Sequence, residues 1–296
     1  MSLSKSHFLS GLQCHKRLWF EAHPRSADLD PADSLSPYVQ EQGREVGRLA
    51  RRLYPDGLEI TAAGSRLALR QTQEAVAAGR TALFEAAAQG GGAFARADLL
   101  LRQGTEGPWD LLEVKASGQK DASELADGQD SFLWDLAFQR YAFAQGGFAM
   151  GRSSLALINK DYVRQGEPDP QAFFKLVDVS AAVEQRQAQV PALLRAMDAA
   201  SLSATAPERA IGAHCNLPHP CPYQGQCWPK PAADSVFSLR SLSQARKLAL
   251  FHAGRRSFAQ LGREKLSDWQ AKQVKAQRSG KAFVDKPKIR EFLAGL

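Results

Sequence analysis

The helical spacing of apolar residues gives way to a strand-like pattern, strongly apolar with isolated polar positions, in two stretches, Ala93–Arg102 and 109–116. Between them, Gln103-Gly-Thr-Glu-Gly-Pro108 is turn chemistry, so the pattern predicts a β-hairpin. Shorter apolar runs at 154–158 and 173–178 predict two further strands. Elsewhere apolar residues recur at helical spacing, which predicts helices over 8–20, 38–53, 66–88, 134–143, 180–200, 242–261 and 265–277. Tyr54-Pro-Asp-Gly57 ends the second of these and Gly90-Gly-Gly92 closes the third. The Pro/Asp/Ser-rich segment 26–37 is expected to be a loop.

A chain of 296 residues, 44% of them hydrophobic, builds a sizeable core in one or two domains. It has no run of 18 apolar residues, so no membrane span is expected. Met1-Ser-Leu-Ser-Lys-Ser-His-Phe8 lacks the apolar stretch of a signal peptide. A cytoplasmic protein is expected, in which thiols stay reduced. The net charge of +7 is uneven: residues 1–229 carry 23 Lys/Arg against 26 Asp/Glu, and residues 230–296 carry 15 against 5. A basic segment of this kind suits a polyanion such as nucleic acid, although a solvated helical face has the same composition.

The hairpin carries the candidate chemistry. Asp98 lies on its first strand and Glu113-Val-Lys115 on its second. Successive side chains alternate faces, so Glu113 and Lys115 share one and Val114 takes the other; pairing across the turn brings Asp98 to the first. Two carboxylates and a lysine suit a divalent cation, an activated water and a phosphate. Glu-x-Lys pairs on strands are also common surface ion pairs of little energetic weight. Here the flanking residues are apolar, and buried charges are costly unless a metal or partner compensates. Gln139 follows Asp135 by one helical turn on the same side of a helix, a spacing that fits either a site or an exposed polar pair. Lys5, Lys16 and Arg17 read as phosphate contacts or as solvated surface.

The four cysteines are Cys14 and a C-x5-C-x5-C run of Cys215, Cys221 and Cys227. They suit an iron–sulfur cluster, a zinc site or unligated core thiols, with His214 and His219 as alternative ligands. Zinc sites usually use close C-x2-C pairs, which this chain lacks.

Asp98 followed about a hairpin later by Glu113-x-Lys115 resembles the PD-(D/E)XK nuclease signature. Gln139 in Trp134-Asp-Leu-Ala-Phe-Gln-Arg-Tyr141 resembles the glutamine motif of the RecB-type branch. One N-terminal and three C-terminal cysteines bracketing that core are similar to the iron–sulfur nucleases of the branch, which include the CRISPR-adaptation nucleases and the AddB nuclease domain. Over nearly the whole chain, segments 3–19, 42–50, 159–164 and 221–228 resemble a bacterial family in which a RecB-like iron–sulfur nuclease domain precedes an RNase H-like exonuclease domain.

The resemblance implies an α/β fold with a PD-(D/E)XK, restriction-endonuclease-like core: a central mixed sheet flanked by helices, a helical iron–sulfur clasp and a basic helical C-terminal tail. It implies a nuclease domain over 1–229 and an extension over 230–296. It also implies a metal-dependent DNA nuclease, with exonuclease action on single strands or strand ends. Asp98 and Glu113, helped by the Val114 carbonyl, would hold Mg2+ or Mn2+. Lys115 would position the attacking water, and Gln139 would lie near the metal or the DNA backbone. Cys14, Cys215, Cys221 and Cys227 would hold a 4Fe–4S cluster. Where relatives carry a metal-binding histidine, Gly47 stands here, and Glu41 or Glu45 on the same helix is expected to substitute. A second nuclease domain or a helicase-type protein is the expected partner. The competing expectation is a nucleic-acid-binding scaffold with a structural cluster and no competent metal site.

Overall fold

The predicted hairpin forms from Ala93–Arg102 and Trp109–Gly118 in the computed structural model, which describes residues 2–26, 37–118, 131–230, 232–262 and 264–296. Most of the loop expected at 26–37 lies outside these residues. The chain divides into two compact units, Met1–Arg209 and Ala210–Leu296. The division precedes the expected boundary at 229, so the three C-terminal cysteines belong to the second unit.

The first unit is an α/β structure around a mixed seven-stranded sheet. Its strands are β1 (Leu3–Ser4), β2 (Leu58–Glu59), β3 (Ala82–Gly90), β4 (Ala93–Arg102), β5 (Trp109–Gly118), β6 (Met150–Ile158) and β7 (Phe174–Asp178). Their order is β2-β3-β4-β5-β6-β7, with β1 paired to β4 off this path. Pairs β3–β4, β4–β5 and β6–β7 are antiparallel; β1–β4, β2–β3 and β5–β6 are parallel. The helices are α1 (Lys5–Gln13), α2 (His15–Ala22), α3 (Pro37–Arg51), α4 (Ser65–Ala77), α5 (Ser131–Gln145), α6 (Pro170–Phe173), α7 (Ser180–Gln187) and α8 (Val190–Ser201).

Helix α5 is apolar on nearly every side, the mark of a helix enclosed by other elements. Leu133, Leu136, Phe138 and Phe143 on it are fully buried. It packs on β3 and β4, whose Ala86, Ala88, Ala95 and Ala97 are small enough to admit it closely. At Gly90 even a Cβ would run into the Gln145 backbone. On the opposite face α3 lays Val46, Leu49 and Ala50 against Phe84, Leu99 and Leu112.

In the first unit three expected helices are corrected. The helix expected over 66–88 ends at Ala77; Gly79 takes φ +75° and residues 82–90 are strand β3. Alanine favours helices, but here its small side chain decides the matter, because tertiary packing of α5 on the sheet overrides propensity. The helix expected over 8–20 breaks at Cys14, which is extended at φ −167°. The helix expected over 180–200 breaks after Gln187, and Pro191 sits in the first turn of the next helix, where its missing N–H costs nothing.

The second unit is helical: α9 (Gln224–Cys227), α10 (Gln244–His252), α11 (Asp268–Ser279) and α12 (Lys286–Ala294), with three short 3-10 turns. The helix expected over 242–261 is corrected to α10 and a 3-10 turn at Phe258–Leu261, because Gly254 at φ +80° ends α10. Val236, Leu239, Leu250, Phe258, Leu261 and Val274 form its core. Among the described residues no helix is long and apolar enough to cross a membrane.

Candidate active site

The β4–β5 register pairs Leu99 with Leu112, so the next step sets Asp98 opposite Glu113. On the other side of β4 the ladder with β3 lapses at one step. Phe84 pairs with Leu99 and Ala86 with Ala97, but Glu85 opposite Asp98 is skipped. Glu85 takes φ +55°, a left-handed conformation uncommon for a non-glycine residue, and such strain gathers at functional sites. The sheet changes its presentation at this step: Phe84 and Leu99 join the core under α3, whereas Ala86 and Ala97 join the core under α5. Asp98 thus sits at an opening in the sheet.

Glu113 is buried with 2% of its side chain exposed and both its oxygens are engaged. Its Oε1 accepts hydrogen bonds from Lys5 Nζ at 2.9 Å and Lys115 Nζ at 2.6 Å, and its Oε2 accepts from Gln139 Nε2 at 2.7 Å. The same three donors reach Asp135 on α5. Lys115 Nζ lies 2.7 Å from its Oδ2, Gln139 Nε2 2.8 Å from its Oδ1, and Lys5 Nζ 3.3 Å from its Oδ1. Asp98 takes a different contact, accepting from the backbone N–H of Val114 at 2.8 Å. Lys115 also lies over the Phe132 ring, 5.1 Å from its centroid.

Three carboxyls face two ammonium groups, which leaves one negative charge uncompensated. Asp98 bears that excess, because among the described residues it forms no ion pair. Burial, and then the charge of Glu113, push its carboxyl up to about 7. Burial followed by the Glu113 charge also raises Asp135. For Glu113 burial is outweighed by Lys5 and Lys115, which hold it well below the usual carboxylate range. Burial likewise opposes ionisation of Lys5 and Lys115, but Glu113 and Asp135 keep both firmly protonated.

A cavity of about 830 Å³ opens onto this cluster. Asp98, Glu113, Val114 and Lys115 line one side, with Glu59 and Glu85 beside them. Helix α3 lines the other side with Gly43, Arg44, Gly47, Arg48 and Arg51. A Cβ at Gly43 or Gly47 would meet no atom within 4 Å. Arg51 pairs with Glu59 at 2.5 Å and Glu85 at 3.3 Å. Glu41 is paired with Arg44 and Arg48 at 2.7 and 2.8 Å, and Glu45 is exposed; neither lines the cavity.

The structure therefore brings together Asp98, Glu113, Lys115 and Gln139, and does not bring Glu41 or Glu45 to them. Val114 contributes its N–H to Asp98. Two further members, Asp135 and Lys5, are named in the sequence reading but not as partners of Glu113. Asp135 could have been found from its position on an otherwise apolar helix, where a polar pair spaced by four has to be buried together. Lys5 carried no such signal, since strand β1 delivers it from the far end of the sequence.

Hard carboxylate oxygens at a cavity wall, among them those of Asp98, which forms no ion pair among the described residues, fit a divalent ion in chemical type. Among the described residues no three His, Cys, Asp or Glu side chains are already grouped to hold one. In the second unit Cys215 is buried with Ile211 and Leu248, and Cys227 packs against the same cluster. The Cys221 N–H donates to the Cys215 carbonyl at 2.8 Å. Thiols are soft donors of the type that iron or zinc takes, but among the described residues no three Cys or His side chains are grouped to hold either. Cys14 belongs to the first unit, and none of the four cysteines forms a disulfide. No protein-family model and no curated protein matches this chain.

Proposed function

We propose that the first unit is a divalent-metal-dependent nuclease that hydrolyses phosphodiester bonds of DNA. The observation that carries the reading is the convergence of Asp98, Glu113 and Lys115, from two adjacent strands, on a cavity whose facing helix supplies Arg44, Arg48 and Arg51. A polyanionic strand needs cations along its path and a cluster of acids only where a metal is to be held. Here Arg44, Arg48 and Arg51 come from α3 and Asp98 and Glu113 from the sheet; Glu41 pairs with the first two arginines and Glu59 and Glu85 with the third, partners that a bound phosphate would displace.

Asp98 and Glu113 would hold Mg2+ or Mn2+, which would polarise the phosphate and acidify a bound water. Lys115, ionised and on the cavity wall, stabilises the attacking oxygen and the charge growing on the phosphate. Gln139 and Asp135 orient Glu113 through hydrogen bonds of 2.7 and 2.8 Å to the shared Gln139 amide. The arginines of α3 clamp flanking phosphates. We assign Cys215, Cys221 and Cys227 of the second unit to a structural 4Fe–4S cluster on the strength of the motif resemblance. Cleavage of end-labelled single- and double-stranded DNA in Mn2+, comparing wild type with Lys115→Ala, tests the nuclease reading.

A binding scaffold without catalysis is the second reading. It is favoured by one observation: both Glu113 oxygens are already taken by Lys5, Lys115 and Gln139. Salt-sensitive DNA binding with no cleavage by the wild type would select it.

A further inference from the structure

Lys5 reaches both buried acids of the site from outside the hairpin and helix that carry the others. Strand β1 pairs in parallel with the start of β4, Leu3 with Ala93 and Ser4 with Phe94. It uses the edge that β5, paired only with Leu99–Arg102, leaves open. Ser4 then caps α1 by accepting from the His7 N–H at 3.3 Å. Phe8, fully buried, lies 4.7 Å from Phe138 and 6.4 Å from Trp134, ring centre to ring centre. Those two aromatics neighbour Asp135 and Gln139 on α5. Lys5 is therefore launched from a fixed strand and steadied against the helix it must reach.

Lys5, Lys115 and Gln139 each bridge Glu113 and Asp135. Lys115 also lines the cavity, whereas Lys5 does not. A group that touches the acids but not the cavity acts on the acids. We propose that Lys5 is a positioning residue of this site: it pins Glu113 to Asp135 and fills the space between them with a fixed positive charge, so that the site takes one divalent ion, held by Asp98 and Glu113 on the cavity side, and no second ion between Glu113 and Asp135. The inference rests on the nuclease reading. Without Lys5 the same acids face a single ammonium group, and unbalanced carboxylates at this spacing attract a cation from solution.

The test is Mn2+ binding to the intact chain by calorimetry, with cleavage of labelled DNA measured on the same preparations. The wild type is expected to bind one Mn2+ in the first unit. Lys5→Met is expected to bind a second and to lose at least about tenfold in turnover, because Glu113 is no longer held. Lys5→Arg keeps the charge and is expected to stay at one ion. If Lys5→Met fails to fold, Lys5→Gln removes the charge but keeps a hydrogen-bond donor for the two acids; it is expected to bind a second ion, and one ion there overturns the proposal. One ion and wild-type turnover in Lys5→Met, or two ions in the wild type, overturn the proposal. A wild type that binds one ion but cleaves no DNA overturns the nuclease reading instead, and the ion count in Lys5→Met still decides the role of Lys5.

Discussion

The backbone N–H of Val114 donates a 2.8 Å hydrogen bond to Asp98 Oδ2, tying the carboxylate of one strand to the peptide that leads from Glu113 toward Lys115 on the next. The bond fixes the Asp98 carboxyl at a step where β4 has lost its partner on β3. It also leaves Asp98 as the member of the cluster without an ion pair, and the behaviour of the site with pH follows from that.

Burial and the Glu113 charge raise Asp98 to about 7, from 3.8 when exposed. A carboxyl raised on folding favours the folded state most when protonated. Its contribution to metal-free stability therefore falls as pH climbs from about 4 to about 7 and is level above that window. Glu113, held low by Lys5 and Lys115, works oppositely: it contributes stability above its unfolded value of 4.5 and loses it in acid. Asp98→Asn removes only the first slope. Without metal it is expected to melt above the wild type at pH 8 and to lose that advantage by pH 4.5. Mn2+ affinity of the wild type is expected to weaken about tenfold per unit below pH 7, because binding displaces one proton. Thermal melts and Mn2+ titrations across this range check both; a Tm difference independent of pH would show that Asp98 is ionised throughout.

Asp135 shares its two ammonium partners with Glu113. Asp135→Asn leaves Lys5 and Lys115 with Glu113 as the acid of the cluster that they pair with, Asp98 forming no ion pair among the described residues. The expected loss is roughly 2–3 kcal/mol, below the roughly 3–5 of a fully buried pair, because Lys5 keeps 31% of its side chain exposed. Urea unfolding measures it, and a change under about 0.5 kcal/mol, the size of an ordinary surface substitution, would mean that the cluster is not held as described.

Gly47 faces the cavity with open space where a Cβ would lie. Gly47→His is therefore expected to fold without penalty, and to gain up to about 0.5 kcal/mol from replacing a helical glycine. If α3 faces the bound ion, the variant also binds Mn2+ more tightly than wild type. Unchanged Mn2+ affinity would place the ion away from this helix.

The second-unit cysteines are expected to be ligands. Protein purified without oxygen should be brown, with iron and sulfide near four per chain, as a 4Fe–4S cluster requires. Cys215→Ser should lose iron and melt lower, since metal binding of this kind contributes folding energy directly. A Cys215→Ser variant with the colour and Tm of the wild type would remove the cluster from the account.

The hairpin was legible because polar and apolar residues alternate over 95–99 and 112–116 and turn residues lie between the two strands. Its acids were legible because Asp98, Glu113 and Lys115 sit at fixed positions within that alternation. Strand β3 was not, since Ala86, Ala87 and Ala88 read as helix formers until α5 is placed against them. The breaks at Cys14 and Gln187 were missed because apolar periodicity runs through both. Lys5 was out of reach of any local pattern: a two-residue strand, β1, carries it to acids more than a hundred residues away. Asp135 was noticed only as the neighbour of Gln139; its burial depends on packing that no single helix encodes.

The central claim is that Asp98, Glu113 and Lys115 cleave phosphodiester bonds with a divalent ion. The most direct measurement is single-turnover cleavage of end-labelled DNA in Mn2+, comparing wild type with Glu113→Gln and Lys115→Ala. Wild-type protein should degrade the strand, and each variant should be slower by at least about a hundredfold, the usual loss when a charge-stabilising group is removed. Equal cleavage by all three, or none by a wild type that binds Mn2+, would contradict it.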